Sequence, residues 1–174
     1  MMRTTGYDGI RIYIADLDAY NNGRLVGEWV DLPIDPEDLQ RIVQKYSHHG
    51  QQDIAIHDHE SPFRIGEYDD PAAINDLAEA LGDLHEAPEV IEVVMQGVAG
   101  REDALRVLEQ GEYTVWQECW TLADVARTQA EELESLKEVP EWVHDFIDYD
   151  RWGDHLDMEG TLLKGDGFYV EVYS

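Results

Sequence analysis

IRIYIADLDAYNNGRLVGEWVDL, residues 10–32, decides the N-terminal fold. Residues 10–15 are rich in β-branched and aromatic types and read as a strand. Asn21, Asn22 and Gly23 supply a turn signal. Residues 24–32 then read as a second strand, antiparallel to the first. Asp35, Pro36 and Glu37 open a helix, with a capping residue, proline in the first turn and an acid near the positive end of the dipole. Leu39, Ile42, Val43 and Tyr46 give that helix an apolar stripe. Residues 53–57 read as a third strand, so the first sixty residues form a small ββαβ unit.

Further along, the period changes. Asp70-Pro71 starts a helix whose Ile74, Leu77, Ala78 and Leu81 share one face. Asp76, Glu79, Asp83 and Glu86 fall opposite. Pro88 restarts a helix through Val90, Ile91, Val94 and Met95; Gly97 and Gly100 break it, and 101–109 forms another. Residues 112–119 return to strand. A long helix is expected from Thr121, with Leu122, Val125, Ala126, Leu133 and Leu136 inward and Asp124, Glu131, Glu134 and Glu138 about opposite. Pro140 starts another helix, with Glu141, Asp145 and Asp148 on one side. Residues 168–173 read as a final strand. The expected fold class is α+β: an elongated chain of three small modules, ββαβ-like at 1–62, helical at 63–110 and mixed at 111–174.

Charge is the chain's most unusual property. Twelve basic residues face 39 acidic ones in 174, a formal net charge of −27. The three segments 1–60, 61–110 and 111–174 carry −6, −9 and −12, so no acidic tail holds the excess. Hydrophobic residues at 43% and aromatics at 10% allow real cores, which argues against disorder. Like charges one helical turn apart destabilise a helix by about 0.2–0.5 kcal/mol per pair. No lysine falls between the carboxylates of the first acidic face, and Arg127 interrupts the second. Duplex DNA carries about one charge per 1.7 Å, so a charge of −27 matches roughly 46 Å of duplex. Mimicry of DNA is electrostatically reasonable. Adaptation to high salt is the rival reading, since only Lys45, Lys137 and Lys164 are lysines.

Constellations for chemistry are few. His57 and His59 flank Asp58 and, on a strand, point to one side where they could share a metal; His48 and His49 are near in sequence, and no third ligand is evident. Residues 148–159 approach a calcium loop, with Asp148, Asp150, Gly153, Asp154 and Glu159 at positions one, three, six, seven and twelve. Trp152 stands where an oxygen ligand is needed, and the segment reads better as a helix with Trp152 and Leu156 inward. Cys119, the single cysteine, allows no intramolecular disulfide, and its acidic neighbours make it a poor nucleophile. No HExxH, GxSxG, P-loop or GxGxxG occurs. The expectation is a protein that is not an enzyme and needs no cofactor or metal. Basic patches are lacking, which argues against direct binding to nucleic acid. No apolar run is long enough to span a membrane, and MMRTTGYDGI lacks a signal-peptide core, so the cytoplasm is the expected location.

The segment IYIADLDAYNNGRLVGEWVDL, residues 12–32, resembles the opening signature of the ArdA antirestriction family. Ala15, Asp16, Leu17, Tyr20, Asn21, Gly23, Gly27, Trp29 and Asp31 carry the match. The "DY" start and acidic helix at 148–159 and the strand-rich end add weaker likeness; the family's antirestriction motif would fall around 112–138. The resemblance implies a protein of mobile genetic elements that blocks type I restriction–modification enzymes by occupying their DNA-binding groove as a dimeric acidic rod. It implies no catalytic residues. The expected target-binding carboxylates are Asp76, Glu79, Asp83, Glu86, Asp124, Glu131, Glu134, Glu138, Glu141, Asp145 and Asp148. A homodimer is expected through the C-terminal module, around Tyr113, Val115, Trp116 and Trp120. The alternatives are a halophilic-type acidic structural or interaction domain with no DNA-site target, or a calcium-binding module.

Overall fold

The computed structural model of the chain describes residues 5–47 and 53–173. The chain divides into two compact units, Met1–Gln96 and Gly97–Ser174.

In the first unit, β1 (Ile10–Asp16) buries Ile10, Ile12 and Ile14 on one face, while Arg11 and Tyr13 alternate with them. The chain then makes a one-turn helix, α1 (Leu17–Asn21), because the Asp16 carboxylate accepts from the Ala19 N–H at 2.9 Å. The hairpin is therefore wider than its sequence suggested, and β2 (Gly27–Leu32) begins at Gly27. Its register sets Ile10 opposite Leu32 and Ala15 opposite Gly27. A side chain at Gly27 would collide with the Ile14 carbonyl and the Tyr13 ring, so the close approach needs glycine.

Helix α2 (Pro36–Tyr46) is capped by Asp35, whose carboxylate accepts from the Glu37 N–H at 2.8 Å. Strand β3 (Ile54–Glu60) pairs antiparallel with the other edge of β1, giving the order β2-β1-β3. Helices α3 (Pro71–Asp83) and α4 (Pro88–Gly97) follow. α2 packs on β1, and α3 on both β2 and α2. Ile74, Ala78 and Leu81 are buried as their spacing predicts. Asn75 is buried with them and clasps the backbone of Ile34: its amide accepts from the Ile34 N–H at 2.9 Å and donates to the Ile34 carbonyl at 3.0 Å.

The second unit opens with α5 (Arg101–Gln110), closed by Gly111 at a left-handed φ of 66°. Strand β4 (Tyr113–Gln117) leads to α6 (Leu122–Glu132), α7 (Glu134–Lys137), α8 (Glu141–His144) and α9 (Tyr149–Met158). Two short strands, β5 (Leu162–Lys164) and β6 (Phe168–Val172), complete an antiparallel sheet of order β4-β6-β5. Trp116, Cys119, Val125 and Tyr169 form a buried cluster, with Leu122, Leu156 and Leu162 packed against it. α6 and α9 lie against each other, and Gly153 lets them approach: a Cβ there would stand 2.5 Å from the Leu122 carbonyl carbon.

The fold is mixed α+β, with an N-terminal sheet, a helical middle and a C-terminal sheet. Two expected helices are shorter than the sequence pattern implied. The chain leaves helical geometry at Leu133 (φ −71°, ψ 112°), so one long helix becomes α6 and α7, and Leu133 is exposed rather than inward. The helix expected from Pro140 ends at His144, and Asp148 caps a new one. Residues 149–158 are helical, which corrects the calcium-loop alternative: Gly153 serves helix packing instead of a metal-binding turn. Among the described residues, no helix is long and apolar enough to cross a membrane.

Candidate functional site

The exposed carboxylates of α3 make the simplest charged surface. Asp76, Glu79 and Asp83 all face solvent on one stripe, within about 60° of one another around the helix. From Asp76 to Asp83 is seven residue steps, about 10 Å of helix axis at 1.5 Å per residue. That is one charge per about 5 Å, against about 3.4 Å for one DNA strand. Among the described residues no cation pairs with any of the three. The helix has no acid in its first turn and no base in its last. Asp83 instead closes the C-terminal end, where the helix dipole disfavours negative charge. The charge on α3 is arranged against the stability of its own helix.

Glu86 does not share this stripe. α3 ends at Asp83, and Glu86 lies in the connection beyond, half-buried, with its carboxylate accepting from the Ala87 N–H at 2.7 Å before α4.

In the second unit the candidate carboxylates do different things. Asp124, at the third helical position after the cap residue Thr121, completes a capping box: the Thr121 hydroxyl accepts from the Asp124 N–H, and the Asp124 carboxylate accepts from the N–H groups of Trp120 and Thr121 at 3.1 and 2.9 Å. Arg127 adds an ion pair at 3.2 Å. Hydrogen bonding to the Thr121 side chain, followed by the Thr121 and Trp120 N–H groups and the Arg127 charge, holds the Asp124 carboxyl below the usual carboxylate range against the opposing effect of burial. Asp148 likewise caps α9, accepting from the Arg151 N–H at 3.0 Å. Glu134 pairs with Lys137 at 2.8 Å. Glu131, Glu138, Glu141 and Asp145 are exposed. The break at Leu133 and the separate start of α9 mean that neither acidic run forms one continuous helix face.

α9 offers carboxylates that the motif reading passed over. Asp150, Asp154 and Asp157 are exposed on one stripe. Their i, i+4, i+7 spacing is visible in the sequence; reading Asp150 and Asp154 as calcium-loop positions masked it.

Several cations pair with a carboxylate on their own helix. Arg41 pairs with Asp38, Arg106 with Asp103, Arg127 with Asp124 and Lys137 with Glu134, each within one helical turn. Lys45 pairs with Glu28, and Arg11 with Asp31 and Glu60, lying also over the Trp29 ring.

The aromatic residues also separate. Trp116 belongs to the core of its own unit, and its Nε1–H donates to the Glu171 carboxylate at 3.0 Å. Tyr113 and Val115 are half-buried, whereas Trp120 is 63% exposed with its ring edge against Gly167. Trp142 and Phe146 are exposed as well and were not anticipated.

His57 and His59 have separate partners. The His57 ring meets Tyr20 edge to face at 4.5 Å, with Glu67 3.9 Å from its Nε2. His59 Nε2 accepts from the Ile65 N–H at 3.4 Å. The β-bulge between these pairings shifts the register at Tyr13/Ile14. His48 and His49 lie outside the described residues. Cys119 is buried, and burial chiefly pushes its thiol pKa up, with Asp124 and Glu118 adding to the rise. A cavity of about 430 Å³ between α2 and α3 is lined by Leu39, Val43 and Asn75 together with Asp70 and Asp76.

Compared with known proteins, the chain matches the family model of the antirestriction protein ArdA over residues 12–171, nearly its whole length. No curated protein matches it.

Proposed function

The chain belongs to the ArdA antirestriction family, and from that premise we propose a division of labour among its carboxylates. Membership makes the chain an inhibitor rather than an enzyme: it mimics DNA and inhibits type I restriction–modification enzymes. A DNA-binding groove is lined with cations that hold phosphates and release counterions on binding. A rigid scaffold with carboxylates at comparable spacing satisfies the same cations. Since it presents no base sequence, it competes with DNA of any sequence.

In our reading Asp76, Glu79, Asp83, Glu131, Glu134, Glu138, Glu141 and Asp145 meet the enzyme, joined by Asp150, Asp154 and Asp157. Asp124, Asp148 and Glu86 serve chiefly to hold helix ends, and add to the field from there. The observation that carries this division is the α3 stripe, whose three carboxylates pair with no cation among the described residues and contribute nothing evident to the helix. The segments 1–62, 63–110 and 111–174 act as successive modules of the mimic. The protein works in the cytoplasm, where its target meets incoming DNA.

We also read the active form as a homodimer joined through the third module. Exposed Trp120, beside half-buried Tyr113 and Val115 on the sheet-edge strand β4, supports this reading, while Trp116 supports the strand from inside. Two copies of so acidic a chain repel, so association strengthens with added salt as screening rises. Sedimentation across ionic strength tests the dimer; a monomer at every salt and micromolar concentration rules it out. Addition of the purified protein to a type I restriction enzyme tests the target interaction. Cleavage falls with dose, and the inhibition constant rises steeply with salt. Tight inhibition indifferent to salt contradicts an electrostatic mimic.

A further inference from the structure

Trp142 and Phe146 are exposed in a stretch whose other apolar side chains are sheltered. They are 66% and 80% exposed and meet edge to face, with ring centroids 6.1 Å apart. They stand at i and i+4 across α8 and the turn that follows, so they share one side. Val143, His144 and Ile147, at the neighbouring positions, are half-buried. The fold thus holds this turn by its inner residues and leaves two large rings outward. Exposed rings grouped in this way mark a contact surface more often than isolated ones do.

The surrounding charge selects the partner. Between Lys137 and Arg151 the chain carries Glu138, Glu141, Asp145, Asp148 and Asp150 and no lysine or arginine. Lys137 is already paired with Glu134. Two copies meeting through this turn would bring like charges together as water left the contact, which is costly. A cationic partner gains from the same carboxylates. The rings therefore fit a basic surface that also offers apolar or aromatic contact.

Building on the DNA-mimic reading, we propose that Trp142 and Phe146 dock in the enzyme's DNA-binding groove at the place where that groove meets bases. Glu141 and Asp145 then meet the flanking phosphate-binding cations. DNA presents flat π surfaces between phosphates, and an enzyme that modifies a base must take that base out of the stack. Protein surfaces that receive unstacked bases do so with aromatic and apolar groups. A ring pair bordered by carboxylates presents the same combination. It supplies the part of the affinity that does not depend on salt, while the carboxylates supply the part that does.

The test uses the full chain carrying Trp142→Ala and Phe146→Ala, titrated against a type I restriction enzyme between about 50 and 200 mM salt. Both rings are exposed, so the fold persists, and far-UV circular dichroism with sedimentation verifies fold and association state. The inhibition constant is expected to rise about tenfold or more, as for an aromatic anchor, and by the same factor at each salt. The conservative pair Trp142→Phe and Phe146→Tyr retains most of the inhibition. An unchanged inhibition constant overturns the proposal, as does a change in salt slope. Conversion of a dimer to a monomer assigns the rings to a second copy and overturns it too. Failure of the unmodified protein to inhibit removes the DNA-mimic reading itself, whereas inhibition that survives in the double variant removes this docking contact alone.

Discussion

Replacing Asp76, Glu79 and Asp83 by Asn, Gln and Asn is expected to make the protein more stable and a worse inhibitor. Asp76 and Glu79 are three residues apart on α3, Glu79 and Asp83 four apart. Each like-charge pair costs about 0.2–0.5 kcal/mol, so relieving both returns about 0.4–1 kcal/mol. Asp83 also faces the negative end of the helix dipole, worth a further 0.3–1 kcal/mol or so. The triple variant thus gains roughly 0.7–2 kcal/mol in urea unfolding followed by far-UV circular dichroism. Against the enzyme it loses three exposed ion pairs, each worth about 0–1 kcal/mol. Together they weaken inhibition by up to roughly 100-fold. Salt dependence should shallow at the same time, because fewer charges meet the groove. The opposite signs are the signature of charge kept for binding at the expense of the helix. A variant that is less stable, or equally inhibitory with an unchanged salt slope, refutes the assignment of α3 to the contact.

Other carboxylates and contacts behave differently. Asp124→Asn destabilises the protein, because it weakens the capping box and the Arg127 pair. The folded carboxyl titrates below its ordinary value, near 4. Its contribution is therefore present above about pH 4 and fades as pH falls through the lower folded value. The variant shows a flatter acid limb in stability measured between neutral pH and about pH 3; an unaltered acid limb contradicts the cap. Gly153→Ala should lower stability by about 1–3 kcal/mol through overpacking against Leu122, despite alanine's helix preference of about 1 kcal/mol. A stabilised Gly153→Ala protein would mean that α6 and α9 do not meet there.

The first sheet was legible because its signals are local. The alternation through Ile10, Ile12 and Ile14, the turn after Tyr20 and the Asp35-Pro36 helix start each act over a few residues. Asp70-Pro71 and Pro88 marked α3 and α4 in the same way. The second unit was harder to read. Leu133 and Leu136 continue the spacing of Leu122 and Val125, so periodicity alone joined two helices that the backbone separates. β5 has only three residues, too few for a pattern. Asp124 aligned with Glu131 on a helical wheel and read as part of a binding face. The Thr121-x-x-Asp124 spacing was equally readable as a capping box, and that is how the carboxylate is held. Trp116 shows the same ambiguity: alternation along β4 cannot tell a ring kept for a partner from one closed within its own core. Exposure of Trp142 and Phe146 depends on where a short helix ends, which composition does not reveal.

Displacement of DNA from the enzyme tests the central claim most directly. A labelled duplex bound to a purified type I restriction enzyme is titrated with the protein, once with the enzyme's recognition sequence and once without it. The account predicts complete release of both duplexes, with one inhibition constant after correction for each duplex's own affinity. Loss of cleavage while the labelled duplex stays bound would contradict it, because a mimic and the DNA it imitates cannot occupy the same groove together.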